Sequence, residues 1–522
     1  MKSVAIIGAG ITGLTAAFYL KRKGILVAVY EAGGRVGGVI QSIRKEGYLA
    51  EFGPNTILET SPKITQFIRD AGLESRRLDS DPKAGARYVV RHRRPVAMPY
   101  SQLGIFTSGL LSVGAKFALL REPFVPPRRD GREESVAEFV VRRLNREFLD
   151  QMIDPLVAGI YAGDPHKLSV QQAFPRLAKL EARYGSLIKG QIFGAGERKR
   201  RGEIARDRAP KFSFDEGLQV LPDTLSAELS NAVKLNTTVT RLMQTADGWA
   251  LTVLENGREP QGNIEHPTSN IQHPSFQIEH SAVIYCGTAF RLAELQVEVQ
   301  TKVNAPLAPA LSPFGGEREK TATCDDAPPP CPSGERVVHA KRDRVRGNFI
   351  SLDAFSEIRY PPVASVVLGF RREDVAHPCQ GFGMLIPKVE GFNILGTIFS
   401  SSLFPNRAPA GHLTLTSYAG GERQPELALL PAGKLVELTC KDLRVLLGVR
   451  GQPAFTHCVA YPRAIPQYNL GYGRYRGLLA EIENKAPGLF FAGHYRDGVS
   501  LGDSILSGCN IVERVGKFLT AK

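Results

Sequence analysis

The segment Gly8-Ala9-Gly10-Ile11-Thr12-Gly13 sets three glycines at the spacing GxGxxG, between an apolar run, Val4 to Ile7, and a stretch of helical pattern, Thr12 to Lys21. Each glycine has a separate job. Gly8 permits a tight turn, Gly10 lets backbone approach a pyrophosphate, and Gly13 lets the helix press against a sheet. The phosphates would meet the positive end of the helix, at Ile11 to Leu14. Glu31 closes a second apolar run, Val27 to Tyr30, 18 residues after Gly13, where a carboxylate can accept hydrogen bonds from a ribose. A carboxylate there repels a ribose 2′-phosphate, which disfavours NADP. These residues together predict a βαβ unit that binds a dinucleotide.

The elements that must hold this unit belong to a chain of 522 residues, enough for about two to four domains. Hydrophobic residues are 43% and charged residues 23%, which excludes wholesale disorder and a polytopic membrane protein. The net charge of +14 favours an acidic partner: nucleic acid, anionic lipid or a carboxylate-bearing substrate. Seven cysteines, an odd number without a C-x-x-C pair, argue against a disulfide framework and a zinc site and for a reducing compartment. No metal site is expected. Gly8 and Gly10 interrupt the first apolar run too early for a signal-peptide core, and no segment approaches the roughly 20 apolar residues of a membrane span. A cytoplasmic location is expected.

Between Gly104 and Leu120, Phe106, Leu110, Val113, Phe117 and Leu120 recur at spacings of 4, 3, 4 and 3, the signature of one helix face. A core helix is the first reading, with a helix that meets a membrane surface or lines an apolar pocket as the alternative. Basic residues from Glu197 to Lys211 read as a solvated connection, because no aromatic residues interleave with them as nucleic-acid stacking requires. No nucleic-acid partner is expected. Val233 to Leu242 and Trp249 to Leu254 resemble an antiparallel meander. Asn263 to His280 repeats a seven-residue unit, placing His266, His273 and His280 at equal spacing, but Pro267 and Pro274 prevent a helix from stacking the imidazoles on a metal. This repeat and the Pro-, Gly- and charge-rich Asn304 to Asn348 are expected to be disordered insertions.

After Glu31 the sequence continues Ala32-Gly33-Gly34-Arg35-Val36-Gly37-Gly38, an E-x-x-x-R-x-G-G extension, followed by Glu51-Phe52-Gly53-Pro54 and Asn55-Thr56. At the far end, Gly488 to Gly493 reads as a strand ending in a glycine turn, and Asp497 to Ser504 enters a final helix. This combination resembles the flavin-binding framework of the amine oxidase and phytoene desaturase superfamily, which implies FAD as cofactor. Three further segments, Pro155 to Pro165, Gly381 to Pro405 and Leu415 to Gly421, resemble the oxygen-dependent protoporphyrinogen oxidase family within it. The resemblance spans nearly the whole chain except the two insertions.

That resemblance implies an α/β chain, α+β overall, with a discontinuous Rossmann-like FAD domain, a mixed-sheet substrate domain and a helical, membrane-associating subregion. The expected boundaries are 1–85, 211–300 (carrying the repeat at 262–281) and 451–522 for the FAD domain, 86–210 and 349–450 for the substrate and helical parts, and 301–348 for the second insertion. It implies six-electron oxidation of a porphyrinogen with molecular oxygen, coproporphyrinogen III being the alternative to protoporphyrinogen IX. An amine oxidase, a carotenoid desaturase or a non-catalytic flavoprotein is a more distant alternative. A peripheral seat on the inner face of the membrane and a homodimer stay open.

By the same resemblance, Arg87 pairs with a substrate propionate and the Gly159 carbonyl guides pyrrole N–H groups. Leu385, Ile398 and Tyr418 wall the macrocycle, Tyr418 standing where Phe or Met is usual. Gly8, Ala9, Gly10, Ile11, Thr12, Gly13, Glu31, Ala32, Arg35, Gly37, Gly38, Gly53, Pro54, Asn55, Thr56, Val239, Gly493, Val499, Ser500 and Leu501 hold the flavin. The sequence shows no Ser/His/Asp, Cys/His or paired-carboxylate constellation, and such chemistry needs none. The protein supplies orientation and electrostatics.

Overall fold

Val4, Ala5 and Ile6 are fully buried, as are Ala282, Val283 and Ile284. Unbroken apolar runs of this kind, covered on both faces, form the centre of a parallel sheet. In the computed structural model, which describes residues 2–99, 104, 107–194, 209–255, 275–300 and 348–521, that sheet has five strands. Their order is Val233–Lys234, Leu26–Tyr30, Ser3–Ile7, Ala282–Tyr285 and Leu489–Phe491, all parallel, so both ends of the chain build it. The helix Ile11–Arg22 covers one face and packs against the last helix, Leu501–Ala521.

A seven-stranded mixed sheet forms the second layer. Its order is Phe455–Tyr461, Val363–Arg371, His412–Gly420, Ile394–Ile398, Gly383–Leu385, Arg87–Arg91 and Arg94–Ala97. Only the Gly383–Leu385 and Arg87–Arg91 pair is parallel. Helices Val136–Arg143, Asp154–Tyr161 and Pro175–Tyr184 form the helical part. Its core holds one buried cation, Arg143, whose Nε donates to Glu122 at 2.9 Å and whose Nη1 donates to Glu181 at 3.0 Å. Carbonyls of Val125 and Gly185 take further protons at 3.1 and 2.9 Å, so the guanidinium is buried with its donors served.

Several expectations need correction. Residues 275–280 of the expected repeat insertion are a strand, Ser275–His280, paired antiparallel with Trp249–Glu255. His280 is buried there, 3.0 Å from the Tyr30 hydroxyl. His266 and His273 lie outside the described residues, as do 195–208 of the basic run and 301–347 of the second insertion. The meander splits at Asn236 (φ 53°): Val233–Lys234 joins the parallel sheet, and Thr237–Gln244 pairs with Trp249–Glu255. The boundary at 348/349 falls inside the strand Asn348–Ile350, which pairs with Gln296–Val299. The boundary at 450/451 cuts off Phe455–Tyr461, the edge strand of the seven-stranded sheet.

The single helix face between Gly104 and Leu120 also fails. Ser112 caps a new helix, Val113–Arg121, by accepting from the Ala115 N–H at 3.2 Å. Leu110 is buried, whereas Val113, Phe117 and Leu120 are exposed, so this face is not core; Phe106 is outside the described residues. No helix among the described residues is long and apolar enough to cross a membrane.

The pairing shows where both interrupting segments attach. Leu254 faces Ser275 across one antiparallel ladder, and Val299 faces Asn348 across another, so each segment joins the tips of two adjacent strands. Replacing 255–274, or 300–347, by a two-residue Asn-Gly turn should therefore leave Tm unchanged or raised, with a gain of about 3 kcal/mol at most from the shorter loop. Extending the first deletion through His280 should abolish the cooperative melt. Equal tolerance of both deletions in thermal melts would contradict the strand assignment.

Candidate active site

A continuous cavity of about 2320 Å³ runs between the two large sheets. This is more than twice the ~300–1,000 Å³ that suits one small ligand, so it has room for a cofactor and a substrate together. At one end lies the glycine turn. Gly10 is the N-cap of Ile11–Arg22, supplies no capping side chain, and has nothing within 4 Å of where a Cβ would stand. Nothing acidic occupies the first turn of that helix. The helix thus presents uncapped N–H groups and a positive dipole to open space, a cradle for phosphate. Glu31 is braced by the N–H groups of Ala9 (2.7 Å) and Gly33 (2.8 Å), and its carboxylate keeps lone pairs for a ribose. The buried Thr288 hydroxyl, in the wall of the same cavity, has no partner of its own. These features fit a dinucleotide cofactor.

Of the residues expected to hold it, Gly8, Gly10, Ile11, Thr12, Glu31, Ala32, Gly37, Gly38, Gly53, Pro54, Asn55, Thr56, Val239, Val499, Ser500 and Leu501 line the cavity. Ala9, Gly13, Arg35 and Gly493 do not; they stand behind the wall and shape it. A Cβ on Gly13 would fall 2.0 Å from the Gly8 carbonyl oxygen, so glycine is obligatory for the turn. Arg35 donates to the carbonyls of Val36 and Ile40 at 3.0 Å each and to that of Gly38, holding the glycine loop in shape. Gly493 (φ 117°) turns the chain after Leu489–Phe491, its N–H bonded to Ser507 Oγ at 2.8 Å.

The other end is floored by one face of the seven-stranded sheet. Gly383 pairs with Arg87 on one side and Ile398 on the other. Two residues along, Leu385 pairs with Gly396, which pairs in turn with Tyr418. Because side chains alternate across a sheet, Arg87, Ile398, Leu385 and Tyr418 share one face, with Gly383 and Gly396 leaving clear floor between them. Gly159, on the helix Asp154–Tyr161, closes over this floor so tightly that a Cβ would stand 2.6 Å from Leu385 Cδ2. All five of these residues line the cavity.

Polar groups on this floor are few. Arg87 faces no carboxylate among the described residues; its guanidinium carbon lies 5.8 Å from the Phe382 ring centre. The Tyr418 hydroxyl, held protonated by burial, donates to the Gly53 carbonyl at 3.1 Å and accepts from Asn55 Nδ2 at 2.6 Å. That joins this sheet face to the Gly53–Asn55 loop. His494, also in the wall, is neutral, its pKa pushed down to about 4 by burial.

Several lining residues were not anticipated from sequence, among them Cys286 to Thr288, Ser365, Tyr461, His494 and Arg176. The first group had a usable signal: Ala282 to Tyr285 is a buried strand ending in a glycine turn, the same pattern as the first strand. Its neighbourhood to the repeat obscured it.

Fold and site define an oxidoreductase that carries a flavin. Residues 11–262 and 349–516 match the flavin containing amine oxidoreductase family. Protoporphyrinogen oxidase 2, chloroplastic/mitochondrial, of Arabidopsis thaliana is 32% identical over 541 residues, covering 99% of this chain and 94% of the relative. Coproporphyrinogen III oxidase of Bacillus subtilis (strain 168) is 27% identical over 526 residues, covering 97% and 96%. A crystal structure from Exiguobacterium sp. 255-15, provisionally described as a protoporphyrinogen oxidase, superposes with a TM-score of 0.70 at 19% identity, covering 98% of each chain. The chain belongs to the flavin containing amine oxidoreductases and, within them, stands with the protoporphyrinogen oxidases. It is an enzyme, and FAD is its cofactor.

Gly10 allows a clean test, because a side chain there meets cavity and not protein. Gly10→Ala should fold with the Tm of wild-type apoprotein yet bind FAD roughly tenfold or more weakly, since the methyl group occupies the approach to the pyrophosphate. Flavin-to-protein ratios after gel filtration, alongside apoprotein melts, measure both. Full occupancy would place the phosphates elsewhere.

Proposed function

We propose that the protein oxidises protoporphyrinogen IX to protoporphyrin IX, removing six electrons in three two-electron cycles, with oxygen as acceptor and three hydrogen peroxide formed. The observation that carries this reading is the glycine-cleared, apolar sheet face with an unpaired guanidinium at its edge, in the same cavity as the flavin turn. A flat macrocycle with carboxylate arms matches that floor. The names of the relatives support the same substrate class.

Bound FAD supplies the acceptor for hydride. The chain does the rest. Leu385 and Ile398 exclude water from the ring face, and the hydroxyl of Tyr418, spent on Gly53 and Asn55, offers its aromatic body to the substrate. Gly159 lies in the last turn of its helix, where carbonyls lack helical partners, and no described N–H or side chain donates to its oxygen. That carbonyl is an acceptor for pyrrole N–H groups, drawing electron density toward the ring as it is oxidised. Arg87 grips one propionate through two parallel hydrogen bonds and so fixes which edge of a nearly symmetric ring faces the flavin.

The reading also puts the protein in the cytoplasm, seated peripherally on the inner face of the membrane. Exposed Val113, Phe117, Leu120 and Phe124 support this. Failure of wild type to sediment with anionic vesicles would remove that part alone.

Arg87→Ala should lower kcat/KM for the porphyrinogen by roughly 30-fold to several thousandfold, because leaving a buried carboxylate unpaired costs about 2–5 kcal/mol. Arg87→Lys should recover part of it, with flavin content unchanged. Porphyrin fluorescence with protoporphyrinogen IX and coproporphyrinogen III, read beside peroxide yield, checks substrate and acceptor together. Unchanged kcat/KM in Arg87→Ala, faster turnover of the four-propionate substrate, or a peroxide ratio near zero under air would each overturn the corresponding part.

A further inference from the structure

Arg176 lines the same cavity as Arg87 but from a different wall. It occupies the second position of the helix Pro175–Tyr184, behind Pro175, while Arg87 stands on the sheet. Within the described chain Arg176 makes no hydrogen bond, ion pair or ring contact. The acids of the cavity wall are otherwise engaged: Glu31 is held by two backbone N–H groups at the flavin end, and Glu294 pairs with Arg291 at 2.7 Å.

The position is also a poor one for a structural arginine. The first turn of that helix contains no acidic residue, and Phe174 gives it no side-chain cap. A cation there opposes the helix dipole and weakens the helix. Leu177, Leu180 and Ile192 line the same cavity. Arg176 is exposed on the helical wall, where its guanidinium has no partner among the described residues and can meet an anion, in a cavity that already holds one cation suited to a carboxylate.

We propose that Arg176 binds a second carboxylate of the substrate. This rests on reading the cavity as a porphyrinogen site. Protoporphyrinogen IX carries two propionates, and one guanidinium can grip only one of them bidentately. The other carboxylate is left without a charge-assisted partner unless a second cation meets it. Arg176 on the helical wall and Arg87 on the sheet hold the macrocycle at two points: Arg87 sets which edge faces the flavin, and Arg176 limits the swing that remains about that contact. Arg176 acts on binding and orientation, not on proton or hydride transfer.

The test is steady-state oxidation by the FAD-loaded enzyme at low ionic strength. Arg176→Ala should lower kcat/KM for protoporphyrinogen IX by roughly 10- to 100-fold, the loss of a hydrogen bond to a charged group, and KM should carry the fall. Arg176→Lys should regain part of it. With the dimethyl ester, whose arms carry no charge, wild type and Arg176→Ala should have the same KM. Lys179→Ala, an exposed cation one turn further along the same helix and outside the cavity wall, is the control for general surface charge. A KM for the free acid within twofold of wild type, a fall confined to kcat, an equal effect on the ester, or an equal effect of Lys179→Ala would overturn the proposal. If wild type oxidises no porphyrinogen at all, the reading of the site fails first. If wild type turns over and Arg176→Ala is indifferent, only Arg176 is wrong.

Discussion

The flavin end of the cavity exists because two helices from opposite ends of the chain touch almost backbone to backbone. Gly508 makes this contact: a Cβ there would stand 2.7 Å from the Thr12 carbonyl oxygen and equally close to the Thr15 side chain. With that approach, Thr12 Oγ1 reaches the Ser504 carbonyl at 3.0 Å, and the turn Val499 to Leu501 arrives beside Gly8 to Thr12. A larger residue at 508 would push the last helix outward and open the wall. Chain ends are ordinarily the loosest part of a domain. Here they are fixed by close packing, and the cofactor site depends on it.

The other end of the cavity follows a different logic. No local sequence pattern assembles it; strand register does. Arg87 and Tyr418 are more than three hundred positions apart, yet the ladders through Gly383 and Gly396 set them on one face of one sheet. The two glycines make that face a floor, and the bonds from Tyr418 to Gly53 and Asn55 tie it to the cofactor side. Charge is distributed to match: Arg87 and Arg176 have no acid partner among the described residues, Arg291 is neutralised by Glu294, and Leu385, Ile398 and Tyr418 are uncharged. On the proposed function, such a site binds by shape and reads its ligand's carboxylates.

How much of this was legible in the sequence differs from element to element for physical reasons. Gly8, Gly10, Gly13 and Glu31 could be read directly, because steric demands on backbone and a fixed spacing leave few alternatives. Leu385, Ile398 and Tyr418 could be named only through resemblance to a family, since register across a mixed sheet leaves no trace in local composition. Ser275 to His280 was misread because a proline-containing repeat ran into it, although Phe276, Ile278 and His280 alternate as a strand should. The apolar periodicity up to Leu120 counted across Ser112, a helix starter, and periodicity cannot say whether a face is covered. Arg176 gave no signal, because an unpaired cation is visible only once its neighbours are placed.

On the proposed function, a porphyrinogen occupies the floor of Arg87, Leu385, Ile398 and Tyr418 and delivers its electrons directly to the flavin in the same cavity. Anaerobic mixing of the FAD-loaded enzyme with protoporphyrinogen IX, followed by the loss of visible flavin absorbance, tests this without any acceptor or later cycle. The account predicts bleaching within the time of a turnover, and none with a primary amine such as putrescine. A flavin that stays oxidised with the porphyrinogen and bleaches with the amine would contradict it.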